Sequence, residues 1–114
     1  MTKFFIKRVY EKAEATDGYR VLVDRLWPRG VSKEKAKLDE WAKNTAPSTE
    51  LRKWFNHEIK NWRGFVSKYK TELKKNGDTE NVFKNWKKKK VVTFVYGGKD
   101  ELHNEAVILR DILK

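Results

Sequence analysis

Two stretches of this chain are short and continuously apolar, while most other hydrophobic residues recur at helical spacing. Val21-Leu22-Val23 forms the centre of Tyr19–Asp24, and VVTFVY spans Val91 to Tyr96. Runs of this length, rich in β-branched residues, predict strands covered on both faces. Phe4 to Val9 (FFIKRV) predicts a further strand, followed by the polar loop EKAEATDG from Glu11 to Gly18, which ends in Asp-Gly. Pro28 stops any regular continuation of the second strand.

Ser32 is placed to cap a short helix running through Lys37, after which Leu38 to Trp41 leads into a polar stretch. Pro47-Ser48 opens a better-marked helix. Ser48 is its N-cap, Glu50 lies in the favourable first turn, and Leu51, Trp54 and Phe55 form an i, i+3, i+4 stripe. Ile59, Trp62, Phe65, Val66, Tyr69 and Leu73 predict a longer helix that ends near Asn76-Gly77. Asp78 or Thr79 caps a third, with Val82, Phe83 and Trp86 on one face. Asp100 is expected to cap a last helix carrying Leu102, Ala106, Leu109 and Leu113. The helical spacing of Trp54, Trp62 and Trp86 assigns them to a core stripe rather than to base stacking. Strands separated by helices predict one α/β domain over residues 1–114: a small, mostly parallel sheet flanked by helices. The short first connection leaves the relative direction of the first two strands open.

Composition narrows the chemistry. At 114 residues the chain fits one core without staples. It has no cysteine, which removes disulfides, zinc–thiolate sites, iron–sulfur clusters and thiol catalysis together. His57 and His103 are its only histidines, too few for a histidine-rich metal site, so neither a metal nor a cofactor is expected. No apolar run approaches the roughly 20 residues that span a bilayer, and MTKFFIKRVY lacks the features of a signal peptide. A cytoplasmic location and no membrane partner are the simplest expectations; oligomeric state stays open.

The net charge is +11, and its excess is uneven: Leu51 to Lys90 holds 13 Lys plus Arg against 4 Asp plus Glu. Two readings fit. The segment is a solvated helical surface, or it is a nucleic-acid-binding face in which Lys84, Lys87, Lys88, Lys89 and Lys90 release counterions from a polyanion.

Polar clusters follow two of the predicted strands, where open α/β sheets bind ligands. The first is DRLWPRG, Asp24 to Gly30. Arg25 and Arg29 offer forked donors for carboxylate or phosphate, Pro28 stiffens the turn, and Gly30 permits conformations closed to other residues. Asp24 can accept backbone amides, hold an arginine or act as a general base, so the cluster is either a site or a network that pins the loop. The second is Tyr96-Gly97-Gly98-Lys99-Asp100, either an anion cradle at a helix N-terminus or a tight left-handed turn with an N-cap. It matches neither a Walker sequence nor a dinucleotide fingerprint. Lys43 and Arg52 add positive charge, and Ser48, Tyr96, Lys99, Asp100 and Asn104 complete the candidate ligand-binding set. Asp24 and His57 are the candidates for acid–base work, His57 having the alternative of a packed, hydrogen-bonded residue. The serines show no nucleophile elbow.

The segments RVLVDRLWPRGVSK, LDEWAKNTAPSTELRKWFNH, WRGFVSKYKTEL and VVTFVYGGKDELHNEAVILRDIL resemble, in order and over nearly the whole chain, the YeaO-type branch of the domain of unknown function 488 family. The family pattern falls on Asp24, Arg25, Trp27, Pro28, Arg29 and Gly30, then on Trp41, Lys43, Pro47, Ser48, Leu51, Arg52, Phe55 and His57. In the last block it covers Tyr96, Lys99, Asp100, Asn104 and Ala106. The resemblance implies no reaction, because fold kinship does not supply one. Larger relatives of similar layout carry a cysteine after the last strand and a Cys-His-Arg element in the next helix. Gly97 or Gly98 and Asn104 stand in those regions here, so thiol chemistry does not transfer. The expected function is binding of a small phosphate- or carboxylate-bearing ligand in a basic strand-end pocket, with nucleic-acid binding through residues 51–90 as the alternative.

Overall fold

A computed structural model describes residues 1–114. Four strands form one sheet in the order β1-β4-β2-β3: β1 (Lys3–Arg8), β2 (Tyr19–Leu22), β3 (Glu40–Trp41) and β4 (Val91–Tyr96). Every pairing is parallel, which settles the direction of the first two strands. Central β4 pairs Phe4 with Val92 on one side and Val21 with Phe94 on the other. Five α-helices accompany the sheet: α1 (Lys33–Ala36), α2 (Thr49–Phe55), α3 (Trp62–Lys75), α4 (Thr79–Trp86) and α5 (Glu105–Leu113).

The apolar runs behave as their composition dictates. Val21, Leu22 and Val23 are all buried, and so are Val92 to Tyr96. Side chains alternate across a strand. Phe4, Val21, Val23, Val92, Phe94 and Tyr96 therefore join the larger core with Leu51 and Phe55 of α2, Phe65, Tyr69 and Leu73 of α3, Trp86, and Ala106, Ile108 and Leu109 of α5. Leu22, Val95 and Val9 point the other way and meet Ala36, Trp27, Val31 and Leu38.

That second face also buries charge. Asp17 accepts from Lys7 Nζ at 3.0 Å, from Arg20 Nη1 at 2.6 Å and from the Glu14 amide at 3.0 Å. Arg20 completes the set by donating Nε and Nη2 to the Ala36 carbonyl at the end of α1. Burial alone would raise the Asp17 carboxyl; the Glu14 amide, Lys7 and Arg20 hold it below its ordinary value.

Several elements differ from the pattern-based expectation. The segment Leu38–Trp41 contains an edge strand, β3, whose two paired residues are too few to show a period. Glu40 earns its place through side-chain bonds, accepting from the Tyr19 hydroxyl at 2.9 Å and from Trp86 Nε1 at 3.1 Å. The long helix begins at Trp62, because Ile59–Asn61 is a separate 3-10 turn. Asp100 does not cap the last helix: Asn104 does, its side chain accepting from the Val107 amide at 3.1 Å. Leu102, expected in the register of that helix, is 72% exposed ahead of it. Trp86 and Trp62 pack into or against the core as expected. Trp54 instead lies 43% exposed over Gly64, where a Cβ would stand 2.6 Å from its ring.

Candidate functional site

Four parallel strands send their carboxyl ends to one edge of the sheet, so the loops after β1, β2 and β4 meet there with the start of α2 and of α5. Between them lies a cleft of about 580 Å³, within the ordinary range for small-molecule sites.

The loop after β2 is tied down from several sides. Trp41 Nε1 donates to the Asp24 carbonyl at 2.8 Å, and Trp27 packs edge-on against the Trp41 ring at 5.4 Å. Arg25 turns out of the cleft and donates to the carbonyls of Ala46 and Pro47, both at 2.9 Å. The Tyr10 hydroxyl donates to the Arg29 carbonyl at 2.9 Å, and Gly30 takes φ +70° to close the turn. With its backbone held, the Asp24 side chain points across to β4 and accepts from the Gly97 amide at 2.8 Å. A Cβ at Gly97 would stand 3.1 Å from that carboxylate, so glycine is what lets the two loops approach.

Beside Asp24 sits Glu105, the first residue of α5. Burial, then the adjacent Asp24 charge and the hydrogen bond to it, push the Glu105 carboxyl well above its ordinary value. Arg52 from α2 pulls in the opposite direction.

The walls carry two histidines. His103 Nδ1 lies 2.9 Å from Asp100 Oδ2, and its ring stands edge-on to Trp62 at 5.2 Å. Asp100 Oδ1 accepts from the amides of Leu102 and His103. The Leu102 amide is the largest influence holding this carboxyl below its ordinary value; burial opposes it, and His103 adds to it. His57 is exposed at the end of α2, where Asn56 and His57 both adopt left-handed backbone (φ 49° and 55°). Consecutive non-glycine residues in this region are uncommon and carry strain. They turn the chain so that both residues line the cleft.

Of the residues singled out from the sequence, Asp24, Arg29, Arg52, His57, Asp100 and Asn104 line this cleft together. The others stand elsewhere. Lys43 lies over the Trp41 ring at 4.8 Å. Ser48 caps α2 through the Leu51 amide and donates to Glu72. Tyr96 is buried, and burial is the main cause raising its hydroxyl. Lys99 is exposed on the loop. Lys84, Lys87, Lys88, Lys89 and Lys90 are all exposed. The last four lead into β4 at the opposite edge of the sheet, with Lys89 Nζ 4.5 Å from the Tyr19 ring.

Glu105, His103, Lys53 and Asn56 belong to the cleft but escaped the sequence reading. Glu105 carries a local signal of a different kind: an acid in a helical first turn is explained by the helix dipole. Nothing nearby in the chain shows that it faces Asp24.

The family model described as the Inactive DUF488-N3 subclade matches residues 3–114. The chain belongs to the DUF488 family. This DUF488 protein is 44% identical over 108 residues to the uncharacterised protein YeaO of Escherichia coli K12, covering 95% of this chain and 94% of the relative. It is also 44% identical over 72 residues to the uncharacterised protein Rv3073c of Mycobacterium tuberculosis H37Rv, covering 63% of this chain and 61% of that one. No solved structure matches. No helix of the DUF488 protein is long and apolar enough to cross a membrane.

Proposed function

We propose that this DUF488 protein is a non-catalytic binding domain that takes a small phosphate- or carboxylate-bearing ligand in the carboxyl-edge cleft. One observation carries the reading: Arg29, Arg52 and Lys53 line the cleft, and none of them is engaged in an ion pair. Cations left without partners over a concave surface suit an anion, and the arginines suit the fork geometry of phosphate or carboxylate. His57 is exposed on the same surface. Two considerations favour binding over catalysis. The subclade model carries the word inactive in its description, and Asp24, the best-placed base, already serves the Gly97 amide and Glu105.

Thermal unfolding with added inorganic phosphate tests this. Saturable stabilisation of the wild type is expected, on the order of 2.7 kcal/mol at a hundredfold excess over Kd, with most of it lost in Arg52→Ala and in Arg29→Ala. Equal stabilisation of all three proteins would refute the reading.

A second reading rests on Lys84 and Lys87 to Lys90, which are exposed and share no ion pair with a carboxylate. Binding of DNA or RNA there would weaken steeply with salt and flatten when Lys87 to Lys90 are changed to Gln. No measurable binding at low salt would end that reading.

A further inference from the structure

The cleft sets cations and a carboxyl pair in one cavity, and an anion alone makes use of only half of it. Arg29, Arg52 and Lys53 line it, and so do Asp24 and Glu105. A simple phosphate satisfies the cations but gains nothing from the carboxyls, whose remaining negative charge opposes it. Asp24 cannot turn away to lessen this, because the Gly97 amide holds Oδ2 at 2.8 Å and Trp41 fixes its backbone carbonyl.

We infer that the ligand is amphoteric: a small phosphate or carboxylate that also bears a cationic amine, the anionic group meeting Arg52 and its neighbours and the ammonium meeting Asp24 and Glu105. The inference rests on the binding reading above and names the class of ligand. An ammonium is the natural partner for two carboxyls held side by side, because it donates to both and offsets the charge that sets them against one another. The cavity, about 580 Å³, leaves room for a molecule spanning both ends.

Proton linkage distinguishes this from a purely structural pair. The groups that act on Glu105 are Asp24 at the end of β2 and Arg52 on α2, while the Tyr69 hydroxyl on α3 senses its charge. Asp100, His57 and His103 line the same cleft. The Glu105 carboxyl is held well above its ordinary value, so over that raised range it keeps its proton in the free protein, whereas an ammonium beside it favours the ionised form. Amine binding therefore releases a proton from Glu105, and affinity rises with pH until free Glu105 has lost that proton.

The test uses matched probes, aminoalkyl phosphates of two to six carbons and the corresponding alkyl phosphates, titrated calorimetrically in buffers of different ionisation enthalpy. The phosphate is the same in each pair, so only the amine differs. At least one aminoalkyl phosphate is expected to bind roughly tenfold or more tighter than its amine-free partner. It should also release about one proton more. Glu105→Gln should abolish the extra proton and shrink the affinity advantage of the aminated probe over its alkyl partner. Asp24→Asn, which retains an acceptor for the Gly97 amide, supplies the same comparison if the Gln variant folds poorly. Alkyl phosphates binding as tightly as their aminated partners, or an extra proton that persists in both variants, would overturn the amphoteric ligand while the anion-binding reading stands. Binding of neither series would overturn both.

Discussion

Asp17 and Asp24 flank the same strand, β2, and both are held by a backbone amide, yet they end in opposite electrostatic situations. Asp17 sits among Lys7 and Arg20, with the remaining Arg20 donors spent on the Ala36 carbonyl. Its charges are closed on one another, and the carboxyl is held below its ordinary value. Asp24 meets a second carboxyl, Glu105, beside it in the wall of a cleft whose cations are unpaired, and the partner's carboxyl is forced up. The first cluster resembles a clasp between α1 and the sheet. The second sets a crowded carboxyl pair beside cations that have no carboxylate partner, so its charges are not closed on one another.

The largest effect should come from opening the closed cluster. Arg20→Met leaves Asp17 buried with only part of its partners and strips two donors from the Ala36 carbonyl. Urea unfolding should show a loss of about 3–5 kcal/mol; a loss below about 1 kcal/mol would mean that Lys7 and water replace the guanidinium and that the cluster is not a clasp.

The pH dependence should separate the two clusters by sign. Asp17 has a lowered folded value, so its stabilisation is present above its unfolded value of 3.8 and is lost as pH falls through the folded one. Glu105 has a raised folded value, so its contribution is complete below 4.5 and is lost as pH rises through the folded one. Stability curves should therefore show Asp17→Asn flattening the acid limb and Glu105→Gln flattening the decline above pH 4.5. If Glu105→Gln leaves that decline unchanged, the carboxyl pair is not strained.

The smallest expected effect on stability is that of Arg52→Ala. Arg52 is exposed and unpaired, so denaturation should shift by less than about 0.5 kcal/mol even as phosphate binding is lost. A cleft arginine that mattered to folding as Arg20 does would erase the distinction between site and clasp.

Much of the scaffold was legible because its signals are local. Val21-Leu22-Val23 and VVTFVY are buried strands, Ser32 and Ser48 cap the helices they precede, and the tryptophan at Trp86 lies in the core. The misses have local causes too. Asp100 and Asn104 are both competent caps, and the choice between them depended on Asp100 being drawn to the Leu102 and His103 amides. The strand at Glu40–Trp41 is defined by its neighbour, Val21-Leu22, and not by its own residues.

The site divides along the same line. The sequence alone determined that Asp24 to Gly30 and Gly97 to Asp100 follow buried strands, and hence that both loops emerge at ligand-competent positions in an α/β sheet. It also determined which cations were available. Only the tertiary structure decided which of them face the cleft, sending Arg25 to the Ala46 and Pro47 carbonyls and Lys43 to an indole face while leaving Arg29 and Arg52 at the cavity. It alone brought Glu105 against Asp24. The reason is physical: a residue's type and local spacing fix its chemistry and its place on a helix or strand, whereas its charge state depends on groups that chain folding brings near from far along the sequence.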